Sequence, residues 1–469
     1  MATQNDMATA FYRTIWRWHF YAGLVVMPLV LVLSVTGAIF LFKPQVERWE
    51  ERAYQGLPTA GAVSADAQRD AALAAFPGAR FHTYRLPERD GDAAMIHLAL
   101  PGGTGMRDVF VSPQGKVLGS FDPDRRFITI DHDLHGQLLL GPKGSWVVEF
   151  AASWAILMIL SGLYLWWPEG RGLAGVIWPR LQRGSRVLWR DLHAVTGFWV
   201  SGLALVLLVT GLPWADVWGS AFSAVRGQMG WVSGPQDWTI GGRPADDGDH
   251  AEHDHAAMMA DGGAKSTNGM AHVMADGTVM TMPSVSLGTI VARAKSEYLA
   301  FPVLVSPPGA KPKWGNGTGG GWTVKSDAQN RPQRVTITYD PMTGKEVARE
   351  TFADKHVIDR VVGYGVAWHE GQLFGLVNQL IGVATALMLI TLTVSGFVMW
   401  RRRKPEGQLG APPLPAVPTR LRGLIAGVLV LAALLPLLAM SLIALWGFER
   451  LLLPRLPRLA AWLGVAVTA

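Results

Sequence analysis

Five stretches of this chain carry no Asp, Glu, Lys or Arg and are long enough to enter a lipid bilayer: residues 20–42, 150–167, 194–215, 371–400 and 423–448. A span needs about 20 predominantly apolar residues. The second stretch reaches that length only when 146–148 are added across Glu149. In lipid every backbone polar group must be satisfied within the segment, so such stretches are helices or they are not spans. The first is too long for the core of a signal peptide and lacks a cleavage signature, so it reads as a retained helix. A chain that is 49% hydrophobic and 17% charged is then expected to be a polytopic membrane protein.

Short loops orient the spans. Residues 168–190 hold Arg171, Arg180, Arg183, Arg186 and Arg190 against one acid, Glu169, and Arg401–Arg403, Lys404, Arg420 and Arg422 form a second basic connector. Basic loops stay on the cytoplasmic side. The N-terminus, with Arg13 and Arg17, is therefore expected inside. The long segments 43–145 and 216–370 are expected outside, followed by the C-terminal tail 449–469. The net charge of +6 is explained by this topology and gives no reason to invoke nucleic acid. There is no cysteine, which excludes disulfides, thiolate-ligated iron–sulfur clusters and haem attached through Cys-x-x-Cys-His.

Four histidines sit at the ends of the spans in two matched sets. His19 is followed by Gly23 and Thr36-Gly37, and His193 by Gly197 and Thr210-Gly211, at identical offsets. His135 is followed by Gly141 and Ser161-Gly162, and His369 by Gly375 and Ser395-Gly396, again at identical offsets. The chain reads as a duplicated membrane unit that keeps one histidine per helix. Ionisable groups at membrane depth are costly and mark function. A lone histidine at a helix end is ordinarily interfacial, and small-residue pairs are common packing devices; the repeated spacing is what singles these out.

The outer segments repeat as well. Ser64 is expected to cap a helix over 65–75, followed by strands at 79–86, 93–100 and 107–111, a Ser-Pro-Gln-Gly turn at 112–115 and a last strand from Lys116. In the second segment Ser286 caps 287–300, with strands near 322–325 and 334–339, a turn at 340–344 and a strand from Lys345. Each segment is thus expected to be a separate small α+β unit. An insertion at 241–283 interrupts the second. It holds His250, His253, His255 and His272 with Met258, Met259, Met270, Met274, Met280 and Met282. Its Gly, Asp and Ala content predicts disorder. Imidazole with thioether suits copper, and a solvated loop with adventitious affinity is the alternative.

With this topology His19 and His193 fall at the cytoplasmic surface and His135 and His369 at the outer one. Two imidazoles at each level, on different helices, suit haem, since a bare zinc or copper site wants three or four clustered ligands. Gly23 and Gly197, one turn from their histidines, leave room for a flat macrocycle. His132 could replace His135, but His369 has no such neighbour. Arg13, Arg17, Arg186 and Arg190 could neutralise propionates. His82, His97 and His356 read as isolated surface residues. No nicotinamide or flavin fingerprint is present, because neither 102–105 nor 315–321 precedes a helix.

The segments Trp18–Gly23, His135 through Ser161–Pro168, Leu192-His193 and Trp368–Gly371, with the two Pro/Gly turns of the outer units, resemble the PepSY-associated transmembrane helix family over about residues 10–404. The resemblance implies a four-helix haem-binding core with two PepSY-like periplasmic units, to which this chain adds a fifth helix. It implies two b-type haems on His19, His193, His135 and His369. It also implies electron delivery to a periplasmic ferric-siderophore, as in the iron-regulated inner-membrane reductases of Gram-negative bacteria. With no nucleotide-binding domain visible in the chain, the donor is expected to be a separate cytoplasmic-side flavin, flavoprotein or quinol. The fifth span and the His/Met insertion depart from the simplest members and leave copper or another metal complex open as substrate. The competing reading is a non-catalytic sensor or assembly factor whose outer units bind peptide or metal. A metal transporter is disfavoured because no acidic residue falls within the spans.

Overall fold

The computed structural model describes residues 4–167, 172–231, 239–240, 243–244, 269–273, 279–309, 320–414 and 422–465. Its helical part is a bundle of α1 (Gln4–Phe40), α5 (Pro142–Trp166), α6 (Ser185–Gly211) and α10 (Leu376–Arg403). Each contains a candidate span among the described residues, and a fifth candidate runs over Pro436–Arg455. Short helices α2 (Lys43–Glu50), α4 (Phe127–Gln137), α7 (Asp216–Met229) and α9 (Val357–His369) gather at one end.

The expected fifth span over 423–448 is not one helix. It divides into α11 (Arg422–Leu434) and α12 (Pro436–Gly447), because Pro436 brings no N–H and Leu435 leaves helical geometry at φ −127° and ψ 90°. The chain also turns back there. Trp218 on α7 donates to the Leu434 carbonyl at 3.0 Å, Trp154 in mid-α5 donates to Ser441 at 2.9 Å, and Arg17 on α1 donates to the Gly464 carbonyl at 2.9 Å. Helix α13 (Pro457–Leu463) therefore ends beside Arg17. The expectation that the C-terminal tail lies at the opposite end from the N-terminal arginines is corrected accordingly.

The two outer segments do not form separate units. Strands β1 (Arg80–Arg85), β2 (Ala94–Ala99), β3 (Met106–Val111) and β4 (Val117–Phe121) come from the first segment. Strands β9 (Val303–Ser306), β10 (Trp322–Ser326), β11 (Val335–Tyr339) and β12 (Glu346–Thr351) come from the second. They join in one antiparallel sheet ordered β12-β11-β10-β9-β1-β2-β3-β4, through Tyr84 opposite Val305 and Arg85 opposite Leu304. Strand β9 was missing from the sequence expectation, although its buried–intermediate alternation is regular.

Helices α3 (Ala65–Ala75) and α8 (Leu287–Ser296) cover one face of the sheet, capped by Ser64 and Ser286 as expected. Asp66 of α3 accepts from the amides of Leu287 at 3.2 Å and Gly288 at 2.8 Å, so one helix caps the other. Ile96, Leu98, Val109, Leu287, Ile290 and Ile337 share one core across both halves.

In the insertion, β5 (Thr239–Ile240) pairs with β6 (Arg243–Pro244), and β7 (Gly269–Val273) pairs with β8 (Val279–Pro283). The disorder expected throughout 241–283 therefore does not extend to these strands. The copper candidates His250, His253, His255, Met258 and Met259 lie outside the described residues, and His272 is described only as a position in β7.

Candidate metal and cofactor site

A cavity of about 690 Å³ runs through the bundle, lined by all four span-end histidines. His19 on α1 and His193 on α6 face one another near the Arg17 end, with ring centroids 6.4 Å apart. His135 on α4 and His369 on α9 face one another at the sheet end, 6.3 Å apart. The sheet-side histidines are not on the spans, as the sequence suggested, but on short helices ahead of them. Gly141 and Gly375, six residues on from each, hold φ of 61° and 58° where the chain turns into α5 and α10. That conformation is strained for side chains with a Cβ, which accounts for the matched six-residue offset.

The Ser/Thr-Gly pairs receive the histidines of neighbouring helices. His135 lies on Thr36-Gly37 and His19 on Ser161-Gly162; His369 lies on Thr210-Gly211 and His193 on Ser395-Gly396. A Cβ built at Gly37, Gly162, Gly211 or Gly396 would stand 3.0, 3.1, 3.1 or 3.2 Å from the imidazole Cε1. Each half of the molecule thus swaps rings, the span histidine docking on the second span and the short-helix histidine on the first.

Those contacts set the ring tautomer. Thr36 donates its hydroxyl hydrogen to the Val32 carbonyl at 2.9 Å, so its oxygen accepts from His135 Nδ1 at 2.9 Å. Thr210 does the same between Val206 at 2.7 Å and His369 Nδ1 at 3.2 Å. Ser161 donates to Met158 at 3.0 Å and accepts from His19 Nδ1 at 2.9 Å. His193 Nδ1 donates to the Leu392 carbonyl at 2.9 Å, with Ser395 Oγ at 3.5 Å. In all four, Nδ1 carries the proton and Nε2 keeps a lone pair, the form a metal requires. Burial foremost, then His369 and His132, lowers the His135 pKa to about 3, and burial lowers that of His369. Both rings are neutral.

Two imidazoles on opposite sides of one metal, with bonds of about 2.0 Å and a ring radius of about 1.2 Å at each end, put their centroids roughly 6.4 Å apart. Both pairs meet that requirement. No group of three or more His, Cys, Asp or Glu able to hold a bare ion occurs among the described residues. His132 is half exposed, pairs with Asp133 at 3.3 Å and lies against Phe40, so the ring opposite His369 is that of His135. Gly23 and Gly197 line the cavity; a Cβ there would stand 3.5 Å from Met158 and 3.2 Å from Leu392.

The flanking arginines differ from expectation. Arg17 is buried and spent on Pro412, Tyr21 and Gly464, and neither Arg13 nor Arg186 lines the cavity. Arg190 does, its Nε donating to Asp191 at 2.9 Å, and so does Arg403, over the rings of Trp16 and Phe20 at 5.2 and 5.4 Å. Arg403 was read only as part of a basic loop. Glu149 and Glu370 also line the cavity, and Glu149 lies within the α5 span, so the spans are not free of acids.

His82 and His97 are not isolated. Their rings are 5.5 Å apart on β1 and β2, and His97 Nδ1 pairs with Asp108. His356 caps α9, accepting from Ile358 N at 3.3 Å.

Residues 16–403 match the family described as the PepSY-associated TM region, and the chain belongs to that family. The comparison with curated proteins gave no match.

Proposed function

We propose that this family member is a di-haem b transmembrane oxidoreductase of the bacterial inner membrane. It passes single electrons from a cytoplasmic-side flavin, flavoprotein or quinol to a periplasmic ferric-siderophore or other metal complex. The observation that carries the reading is the pair of opposed imidazoles at each end of one cavity, all four presenting an unprotonated Nε2. Haem bound there would supply reversible one-electron chemistry.

The chain's own residues do the rest. Thr36, Thr210, Ser161 and the Leu392 carbonyl hold each ring in register, and Gly37, Gly162, Gly211 and Gly396 let the rings approach the neighbouring helix. Arg190 and Arg403 line the cavity at the Arg17 end and would offer cations to carboxylate side groups of a bound macrocycle. The wall between the pairs is mostly apolar, with Leu33, Leu207, Ile381 and Leu389 among its side chains. Reduction labilises a ferric chelate because iron(II) is a softer, weaker partner for hard oxygen ligands.

A pyridine haemochrome assay on the purified protein tests this, with about two non-covalent b-type haems per chain expected. His19→Ala and His193→Ala should disturb one low-spin signal, and His135→Ala and His369→Ala the other. A colourless preparation at full yield would overturn the reading and favour a peptide- or metal-binding module.

A further inference from the structure

Glu149 is 1% exposed, two turns into α5 from its sheet-side start, and lines the cavity. Its Oε2 accepts from the amides of Val217 at 3.0 Å and Trp218 at 3.2 Å, capping the start of α7. Its Oε1 has no hydrogen-bond partner among the described residues. One acceptor oxygen suffices for the cap, and the second is buried without a hydrogen bond from the described residues, which is unfavourable. Capping does not account for it.

Position supplies a role. Three residues before Val217, Trp214 lies edge-on to His369 at 5.4 Å, so Glu149 stands near the sheet-side pair. Around it, the stretches 20–40 of α1, 194–211 of α6 and 436–447 of α12 hold no Asp, Glu, Lys, Arg or His. The ionisable neighbours are Asp216 on α7, Lys143 at the head of α5, Asp131, His132, Asp133 and His135 on α4, and His369 with Glu370 at the end of α9. Glu370 Oε2 and Asp131 Oδ2 are, like Glu149 Oε1, buried without a hydrogen-bond partner among the described residues. Glu370, however, is ion-paired with Arg331 at 3.1 Å, Asp131 does not line the cavity, and Asp216 accepts from the Trp146 indole at 2.5 Å. A negative charge arriving in such a site is poorly screened and draws a proton to the nearest available carboxylate.

We propose that Glu149 is the proton-carrying group of the cavity, taking up one proton when one electron reaches the sheet-side pair and releasing it when the electron leaves. This rests on the two-haem reading. The electron comes from the flavin or quinol by way of the His19–His193 pair, and the proton from water at the sheet end. The carboxylate becomes a carboxylic acid and the cavity gains no net charge. When the metal complex takes the electron, the proton returns to water. Ser145, one turn towards the sheet end and also at the cavity wall, accepts from Asp216 N at 3.2 Å and marks the polar side on which the proton arrives.

The test is potentiometric titration of both haems in the full-length protein, at a series of pH values on either side of neutrality, after haem content is measured. The sheet-side potential should fall with rising pH by up to a tenfold change in the redox equilibrium per unit, about 59 mV for one electron. In Glu149→Gln, which keeps an acceptor oxygen for the cap, that slope should vanish and the other haem should be unaffected. The redox-difference infrared spectrum should lose a protonated carboxyl band in the same variant. If Glu149→Gln does not fold, Glu149→Asp decides: an inflection moved along the pH axis supports the role, and an unmoved one overturns it. Two haems with pH-independent potentials, or an unchanged slope in Glu149→Gln, would overturn this proposal alone. Absence of haem would overturn the two-haem reading beneath it.

Discussion

His19 and His193 sit on α1 and α6, helices that run the length of the bundle, whereas His135 and His369 sit on α4 and α9, short helices that belong as much to the sheet as to the membrane. The Arg17-side pair needs only that the four long helices pack, since its rings dock on α5 and α10. The sheet-side pair needs the soluble part as well. Arg126, at the start of α4, bonds Glu50 at 3.1 Å and Glu51 at 2.9 Å, and Glu51 in turn holds Arg85 of β1 at 3.0 Å. On the other side Arg226 of α7 pairs with Asp359 of α9, and Arg331, just before β11, reaches Glu370 next to His369. One histidine pair is scaffolded by the long helices and the other is clamped by buried ion pairs that tie it to the sheet.

The largest expected break in that contrast comes from Arg126→Ala. Arg126 is 8% exposed, and its loss leaves Glu50 and Glu51 without their shared cation. Removing one partner of a fully buried pair costs about 3–5 kcal/mol, and the loss here is smaller because Glu51 keeps Arg85 and Glu50 keeps the Phe127 amide. The sheet-side haem signal should therefore melt well below the Arg17-side signal when each is followed by its own absorbance. If both decline together, the two sites are one cooperative unit and the contrast is wrong.

How much of this could be read from sequence depends on how far apart the interacting residues lie. The four histidines, their glycines and the capping serines Ser64 and Ser286 were legible because each rests on local spacing. The offsets of seventeen and twenty-six residues were visible too, but not their meaning. That His135 docks on Thr36-Gly37 and His19 on Ser161-Gly162 is a contact between helices, which no single-helix period encodes. The fusion of the two outer units was hidden for a related reason. It rests on a two-residue pairing of β1 with β9, and β9 is four residues long beside Pro302. Pro436 was in plain view, yet a continuous apolar run across it read as one span. Glu149 was set aside as the border of a span, whereas the helix buries it against the α7 amides.

A middle-sized effect sharpens the comparison by exploiting the swap. Gly37 is on the helix that carries His19, but its missing Cβ faces His135 at 3.0 Å; Gly162 faces His19 at 3.1 Å. Alanine at either forces a ring away from its seat, an overpacking cost of about 1–3 kcal/mol. Gly37→Ala should therefore disturb the sheet-side signal and spare the other, and Gly162→Ala the reverse. Electron paramagnetic resonance of the oxidised protein separates the two. A disturbance of the Arg17-side signal by Gly37→Ala would show that the rings do not dock across helices.

The smallest effect lies within the Arg17-side pair itself, whose two rings are held unequally. His19 Nδ1 has one acceptor, the Ser161 hydroxyl at 2.9 Å. His193 Nδ1 has the Leu392 carbonyl at 2.9 Å, with Ser395 Oγ further off at 3.5 Å. A backbone carbonyl cannot be removed by changing a side chain, so Ser395→Ala leaves the His193 proton bonded. Ser161→Ala strips the His19 proton of its partner, a loss of about 1 kcal/mol if nothing replaces it. It also frees the ring to turn and to exchange tautomers, which weakens Nε2 as a ligand. Ser161→Ala should lower the midpoint temperature for loss of the Arg17-side haem and broaden its low-spin signal, with Ser395→Ala near wild type. Equal effects from the two would mean that ring orientation is set by packing against Gly162 and Gly396 rather than by the Nδ1 hydrogen bonds.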